Sequence, residues 1–564
     1  MLVTLLFCIY ISFLCWTYGN LLLSVLLKLF PTQSRADFGF PLKCLLGFIF
    51  LTSIAGYLSL VIALHNYSLH GLLLGISISF LFRKNFRDKL KKDLEPFGRL
   101  PFYLLSFLIV AFLLILNLSS WEIYHPDTLG YHAQLIKWID EFKATPGLVH
   151  LNSRYALQSS WFVSSALFNF NGLGIRGLSF INSTVLLWYL IYMTGQLFGA
   201  VQAKQSLAII GWISVTAFSF WSFSQLRLTA MSASPDFIVT IFGWLAVYLF
   251  IKKYSSDTNQ QPFQFAIVFL LVAFSLTIKY SAAPLLALSA YIFITWIKQK
   301  QYKVALALTL VIVTILAPFI ARNIITSGYA LYPSTTIDLF NVDWKYDKQL
   351  ISDQVQYINA FARDAGIRTY DQVKTISGTP VIKWLPAWFS RKPLSDQVAL
   401  IVALISLLSS LIFAGRIKKA GFATRIAFFT LFAGIVLWFA AAPDTRFGWI
   451  YLIMLPIVVS GVILQNKSEQ QFIFKLTKPL MILFTIGIAG YFIYRSNSFF
   501  DKKQLWMPLG VKQITTEKFR CNNIDFFKPI SDSVCGDNAL PCTLESCDKF
   551  QMRGTSLTDG FKAR

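Results

Sequence analysis

The chain has 564 residues, of which 55% are hydrophobic and only 14% charged, where a soluble protein carries about 25% charged residues. Its formal net charge is +23, from 50 Lys plus Arg against 27 Asp plus Glu. This composition excludes an ordinary soluble domain. The basic excess reads as the Lys and Arg that gather in cytoplasmic loops of membrane proteins, not as a nucleic-acid surface, because no CxxC pair, zinc-finger spacing or RNA-binding signature accompanies it.

The first apolar run, 1–30, starts without a basic stretch and lacks a small-residue cleavage motif, so it reads as a transmembrane helix and not as a cleaved signal. A helix that crosses a bilayer needs about 20 apolar residues. Further runs of this kind fall at 41–64, 68–82, 100–119, 178–199, 206–223, 237–251, 263–280, 282–297, 303–320, 397–414, 424–441, 447–465 and 478–494. The third, sixth and seventh runs are the short or interrupted ones. The expected fold is therefore an all-α polytopic membrane protein of about 14 transmembrane helices. Its membrane domain covers 1–494, with exported loops at 120–177 and 321–396, and a small tail follows at 495–564.

Orientation comes from the basic clusters RKNFRDKLKK (Arg83 to Lys92), Lys252–Lys253, KQKQYK (Lys298 to Lys303) and RIKK (Arg416 to Lys419). With fourteen spans all four fall on one side, which the positive-inside rule makes cytoplasmic. The loop WEIYHPDTLGYH, the segment 321–396, APDTRFG and the tail then lie on the exported side. The cysteines agree with this. Cys8, Cys15 and Cys44 lie in apolar spans as packing residues. Cys521, Cys535, Cys542 and Cys547 lie in the tail, where an exported location permits disulfides in any of three pairings. A metal site is the rival reading of these four, and it lacks a CxxC pair.

The most polar interval among the spans is WEIYHPDTLGYHAQLIKWIDEF, Trp121 to Phe142, followed by NSRYALQSSWF, Asn152 to Phe162. Pro126 biases His125 toward an extended backbone. From Thr128 or Leu129 to Phe142 the pattern predicts an interfacial amphipathic helix with Asp127 near its N-terminus. Asp127 serves there as a helix cap, as a base toward an acceptor hydroxyl, or as a ligand to a divalent cation (Mg or Mn), with His125 and His132 beside it. The alternative for the histidines is an ordinary polar surface. Arg154 is either a headgroup-snorkelling side chain or a bidentate clamp on phosphate.

Arg227, Lys279, Arg322 and Arg446 recur at outward helix ends, with Asp236 and Asp444 as orienting acids or as ion pairs that fix packing. A ring of cations on the side the charge rule disfavours suits an anionic, lipid-linked substrate whose phosphate lies at headgroup depth. In the loop 321–396, Tyr329, Tyr332 and Trp344 are candidates to stack on a sugar or prenyl group. Trp384, Trp388 and Phe389 are candidates for an interface-seated helix.

The stretch Asp127-Thr-Leu-Gly-Tyr131-His132, in the first large exported loop and followed by an amphipathic helix, resembles the GT-C superfamily of membrane glycosyltransferases that use polyprenyl-phosphate sugars. HPDTLGYHAQLIKWI, LNSRYALQSSWF, SASPDF, RNIITSGYALYP, APDTRFG and the tail ending RGTSLTDGFKAR resemble, over most of the chain, a group of bacterial multi-pass membrane proteins. The wider resemblance implies a GT-C-like helical bundle in a bacterial inner membrane, with its catalytic loops on the periplasmic face. It implies Asp127 as the catalytic acid. The chain departs from the pattern in two ways: three spans precede the helix that leads into the loop, and Thr128 stands where many members carry a second acid.

The expected site is Asp127, His132 and His125 for catalysis, with Arg154, Lys279, Arg322, Arg446, Tyr131, Asp236 and Tyr332 around the substrate and its phosphate. The expected partners are a polyprenyl-phosphate-linked sugar, an envelope glycan, lipid or protein acceptor, and the bilayer. A polysaccharide polymerase or ligase using lipid-linked oligosaccharide is the nearest alternative. A lipid or glycan transporter is the other, and it would need inverted repeats and polar groups near mid-bilayer, where this chain clusters them at one surface.

Overall fold

The computed structural model describes residues 1–30, 38–65, 67–170, 177–202, 225–254, 262–366, 369–463, 467–499, 502–521, 524–531 and 533–564. Long apolar runs become helices because only a helix satisfies every backbone N–H and C=O within its own segment in lipid. Eleven helices among the described residues are long and apolar enough to cross a membrane. Two shorter apolar helices, Tyr67–Leu81 and Phe265–Ile278, match the runs at 68–82 and 263–280. The run at 206–223 lies outside the described residues.

Helices Leu2–Leu29 and Phe40–Val61 cross in close contact. A Cβ at Gly19 would strike the Lys43 carbonyl, and one at Gly47 the Cys15 carbonyl. Small residues let two backbones approach in this way inside a bilayer. At the start of the second helix, the Lys43 ammonium meets both oxygens of buried Asp93 at 2.7 Å, and Trp16 Nε1 donates to the same carboxylate at 2.8 Å. Asp93 belongs to Lys84–Gly98, the helix of the strongest basic cluster. Beyond the other end of Phe40–Val61, the His65 N–H donates to the Asp140 carbonyl at 3.0 Å. A 22-residue helix is about 33 Å long, so the basic helix and the Asp127 loop lie at opposite ends of the bundle.

The other basic clusters follow suit. Lys252–Lys253 and Lys298 sit at the far ends of helices Pro235–Tyr254 and Tyr280–Lys298, which begin at Asp236 and just after Lys279. Arg416 donates to the Ile463 carbonyl, at the far end of the helix that begins beside Arg446.

The segment after Ser327 folds as three short helices, Lys348–Arg363, Tyr370–Gly378 and Val381–Ser390. The membrane helix before it ends on Gly328 at φ +86°, a left-handed cap that glycine adopts without steric cost. Trp384 and Trp388 do not seat in the lipid interface as expected. They are buried against Phe439 and Trp438 at ring distances of 5.8 and 6.3 Å. The apolar face of this helix has found a protein neighbour in Phe422–Ala441 instead of lipid. Trp388 Nε1 also donates to the Pro443 carbonyl at 2.9 Å, which fixes the turn that carries Asp444 and Arg446.

The last membrane helix runs Lys467–Phe499, beyond the expected boundary at 494. The tail forms two antiparallel hairpins, β1 (Thr516–Cys521) with β2 (Ile524–Pro529) and β3 (Phe550–Met552) with β4 (Phe561–Ala563). Its four cysteines pair as Cys521–Cys547 and Cys535–Cys542. The tail packs on the first exported loop. The Ile123 N–H donates to the Gly510 carbonyl at 2.8 Å, and the Phe561 N–H to Pro146 at 2.9 Å. Arg553 pairs with Asp343 at 2.9 Å and lies over the Trp344 ring.

A candidate acid–cation site at one end of the bundle

Asp127 precedes a π-helical turn, Thr128–His132, that leads into helix Ala133–Glu141. That helix is not the interfacial element its pattern predicts. Its apolar face packs into the core, while its polar residues Gln134 and Lys137 donate to the Asn538 carbonyl at 2.8 and 3.0 Å. The tail covers the face that would otherwise meet water.

The Asp127 carboxylate accepts from Arg446 Nη1 at 2.9 Å. The same nitrogen lies 3.6 Å from Asp236 Oδ2, and Arg446 Nε meets Asp444 Oδ2 at 3.1 Å. The other oxygen of Asp236 pairs with Lys279. Each charge is delivered by the end of a helix. Asp236 is in the first turn of Pro235–Tyr254, where acids favour the positive end of the helix dipole. Lys279 breaks the chain between Pro262–Ile278 and the 3-10 turn Tyr280–Leu285, with its backbone extended. Asp444 accepts from the Arg446 N–H at 3.2 Å as helix Thr445–Ile463 begins. Phe447 forms a common floor, with the Lys279 ammonium 3.6 Å and the Arg446 guanidinium carbon 5.1 Å from its ring centre.

Arg154 completes the group from the other arm of the loop. A side chain at Gly130 would sit 3.5 Å from Arg154 Nη1. The guanidinium therefore lies at van der Waals range of the Asp127 turn. Among the described residues that guanidinium has no hydrogen-bond or ion-pair partner. Three carboxylates and three cations thus share one place: Asp236 and Asp444 pair with Lys279 and Arg446, and Asp127 joins them. Exposure separates their roles: the Asp127 and Arg446 side chains remain 27% and 22% exposed, whereas Asp236 is 4% exposed. Asp127 faces the open side and Asp236 braces the cations from beneath.

Burial by itself would raise the Asp127 carboxyl. Arg446, followed by His125, His132 and Arg154, outweighs it and holds the group well below the ordinary carboxylate range. Burial likewise acts upward on Asp444, and Arg446 with Lys392 turns the balance downward. Arg446 occupies the space between Asp127 and Asp236, so a divalent cation would bind there only by displacing it. Among the described residues no three His, Cys, Asp or Glu side chains converge as a metal site.

Several expected members are placed elsewhere. His125 and His132 are 3% and 1% exposed, closed off from the surface at which a substrate would meet Asp127. Their Nδ1 atoms both turn to the Thr128 hydroxyl, at 3.3 and 3.1 Å, and their rings stack at 5.7 Å. They support the turn below Asp127. Arg322 is buried apart from the cluster, where Nη2 donates to the Ser59 carbonyl at 2.7 Å beside a small chamber lined by Thr52, Gln158 and Ser159. Tyr332 is buried and its hydroxyl donates to the Ser153 carbonyl at 3.0 Å, so it offers no face to a sugar. Tyr329 is buried, and its hydroxyl donates to the Tyr346 carbonyl at 3.0 Å. Trp344 Nε1 donates to Ile324 at 3.2 Å. Arg227 lies over the rings of Trp121 and Tyr124. Tyr131 stays with the site. Its ring packs edge-on to His132 at 4.4 Å, and its hydroxyl has no hydrogen-bond partner among the described residues. The sequence marks neither Gly130 nor Phe447 as a member of the site, although Phe447 stands directly after Arg446 in APDTRFG.

The histidines set an acid sensitivity. Burial lowers the pKa of both below the ordinary imidazole value. An unfolded histidine takes a proton near pH 6.5, and the folded protein resists it. Stability is therefore complete above that value and falls as pH drops through and below it. The expected result is a melting temperature flat from pH 8 to 7 and declining below about 6.5, with a shallower decline in His132→Gln. An equal slope in the variant would exclude His132 as a source.

A family model described as a domain of unknown function, DUF8201, matches residues 1–453. That stretch takes in every member of the acid–cation cluster and stops before the tail. No curated protein and no solved structure matches the chain.

Proposed function

The chain belongs to the DUF8201 family, and from the geometry of its acid–cation cluster we propose that it is a membrane glycosyltransferase. It moves a sugar from a polyprenyl-phosphate donor to a hydroxyl of an envelope glycan, lipid or protein. We place it in a bacterial inner membrane with about fourteen spans and with the cluster on the exported face. The observation that carries this reading is a part-exposed carboxylate, Asp127, beside Arg154, a guanidinium without a hydrogen-bond or ion-pair partner among the described residues, at one end of an apolar bundle. An acid and a free fork-shaped cation at headgroup depth suit a lipid phosphate next to a reacting hydroxyl. A transporter would favour polar groups near the middle of the bilayer.

In this mechanism the donor's lipid lies among the helices and its phosphate bridges Arg154 and Arg446. The acceptor oxygen attacks the anomeric carbon as the bond from that carbon to the phosphate oxygen breaks. The bonding electron pair leaves with the polyprenyl phosphate, where the cations stabilise it. The acceptor proton passes to Asp127 and then to solvent. Arg446 is what depresses the Asp127 pKa most, so drawing its charge onto the phosphate makes Asp127 a better base at the moment it is needed. Direct displacement inverts the anomeric configuration.

The test uses the full chain in lipid nanodiscs with a panel of polyprenyl-monophosphate sugars and envelope-glycan acceptors, and follows release of polyprenyl phosphate. Acceptor-dependent release with one donor is the expected result. No release across the panel, together with no binding of polyprenyl monophosphate, would overturn the reading.

A further inference from the structure

The two arms of the first exported loop deliver Asp127 and Arg154 separately. The Asp127 arm is the turn 125–132 with helix Ala133–Glu141, and the Arg154 arm is the pair of 3-10 turns Leu148–His150 and Ser153–Ala156. Between the arms lies the part of the tail closed by the Cys535–Cys542 disulfide, seven residues apart. One side of this closed loop grips the Asp127 arm. The Gly536 N–H donates to the Leu129 carbonyl at 2.8 Å, inside the π-helical turn itself. Gln134 Nε2 donates to the Gly536 and Asn538 carbonyls at 3.2 and 2.8 Å. The other side grips the Arg154 arm. The Tyr155 hydroxyl donates to the Cys542 carbonyl at 3.1 Å, and the Thr543 hydroxyl to the Leu151 carbonyl at 2.6 Å. Val534 and Arg154 lie at 4.0 and 3.5 Å from the position a Gly130 Cβ would take, so the tail and the cation flank the same glycine.

The grip is water-excluded. Cys535, Cys542, Gln134, Tyr155 and Thr543 are all buried. The loop keeps its own shape, because Asn538 Nδ2 donates to the Ile514 and Cys535 carbonyls at 2.8 Å each. Gly536 turns at φ +57°, with Ile514 in the space a side chain would need. The second disulfide, Cys521–Cys547, joins the end of hairpin β1–β2 to the chain after the closed loop.

We propose that the disulfide-closed loop 535–542 is a positioning element of the acid–cation site, a brace that sets the spacing of Asp127 and Arg154 by holding both arms at once. Closing the ring fixes the distance between the carbonyls that bind Gln134 and the carbonyl that binds Tyr155. The site is then complete only when the tail has folded onto the loop, although among the described residues the tail contributes no group to the cluster itself. The ligand-binding consequence rests on the reading of the cluster as a lipid-phosphate site, whereas the mechanical consequence does not.

The experiment compares the full-length protein with two paired variants in nanodiscs, Cys535→Ser with Cys542→Ser, and Cys521→Ser with Cys547→Ser. Hydrogen exchange of segments 128–141 and 151–156 is read beside affinity for polyprenyl monophosphate. Opening the 535–542 loop is expected to speed exchange in both segments about tenfold or more and to weaken the phosphate probe about tenfold, with exchange in helix Thr445–Ile463 unchanged. Opening 521–547 is expected to lower the melting temperature and leave probe affinity as it was. Unchanged exchange in 128–141, or an equal loss of affinity in both pairs, would overturn the proposal. Where the first pair fails to fold, Gln134→Leu carries the same test with both disulfides intact. A wild-type protein that does not bind the probe refutes the phosphate reading alone, because the exchange measurement still decides the brace.

Discussion

Asp127→Asn is expected to lower sugar transfer by about 10²- to 10⁴-fold, the range that a positioned base contributes, while the protein folds and still binds polyprenyl phosphate. The side chains have nearly the same shape, and an asparagine Oδ1 can still accept from Arg446 Nη1. Arg446 keeps Asp444 at 3.1 Å and Asp236 at 3.6 Å as charge partners, so the guanidinium is not stranded. What disappears is the carboxylate of the three that combines partial exposure with proximity to Arg154. Because one negative charge leaves the site, affinity for the phosphate is expected to hold or rise. The measurement is turnover beside probe binding in the same preparation. Transfer within tenfold of wild type would remove Asp127 from proton transfer and leave it as a structural partner of Arg446.

The sequence made some of these features legible and hid others, for identifiable reasons. Spans are written in hydropathy, which is local, and thirteen of the fourteen runs correspond to the helices described. The polar interval around Asp127 stood out because it interrupts that local signal. Pairing is not local. Asp127 and Arg446 are 319 residues apart, and nothing in either segment says that one carboxylate will meet the other's cation. Hence cations that the sequence could match only to Asp236 and Asp444 gather Asp127 as well, and among the described residues the Arg154 guanidinium is left without a hydrogen-bond or ion-pair partner. Arg322 shows the same limit, because its position at a helix end was readable but its rotation away from the cluster was not.

Aromatic faces are ambiguous for a different reason. The apolar stripe of Val381–Ser390 is the same whether it meets lipid or Trp438, and only tertiary packing decides. The brace between the tail and the loop was least legible of all. Its contacts run largely to backbone carbonyls of Leu129, Gly536, Asn538, Cys542 and Leu151, which every residue possesses and no pattern marks.

Arg446→Gln carries the largest expected effect on stability. The substitution leaves Asp127 and Asp444 near each other without their shared cation, while Lys279 still neutralises Asp236. Removing one partner from a buried ionic group costs about 3–5 kcal/mol, and the partial exposure of Arg446 and Asp127 argues for the lower end. Two measurements separate lost charge balance from lost packing. Adding Asp444→Asn to the variant removes one of the repelling charges and should recover part of the deficit, whereas a packing defect would persist. The second measurement is pH. In the wild type the Asp127 and Asp444 carboxyls are held below the ordinary range, so their contribution persists until pH falls below about 4. In the variant the same acids lose the charge that depresses them, and their mutual repulsion pushes both upward. The folded state then takes up protons before the unfolded chain does, so the variant regains stability relative to wild type as pH falls. Arg446 also helps to lower the pKa of His125 and His132, so the histidines of the variant take up protons more readily and narrow the gap further as pH falls below about 6.5. A stability gap at pH 8 that narrows toward pH 4.5, and that narrows less once Asp444→Asn is added, would identify Arg446 as the shared counter-charge of the acids, and a gap independent of pH would assign its cost to the space the guanidinium fills.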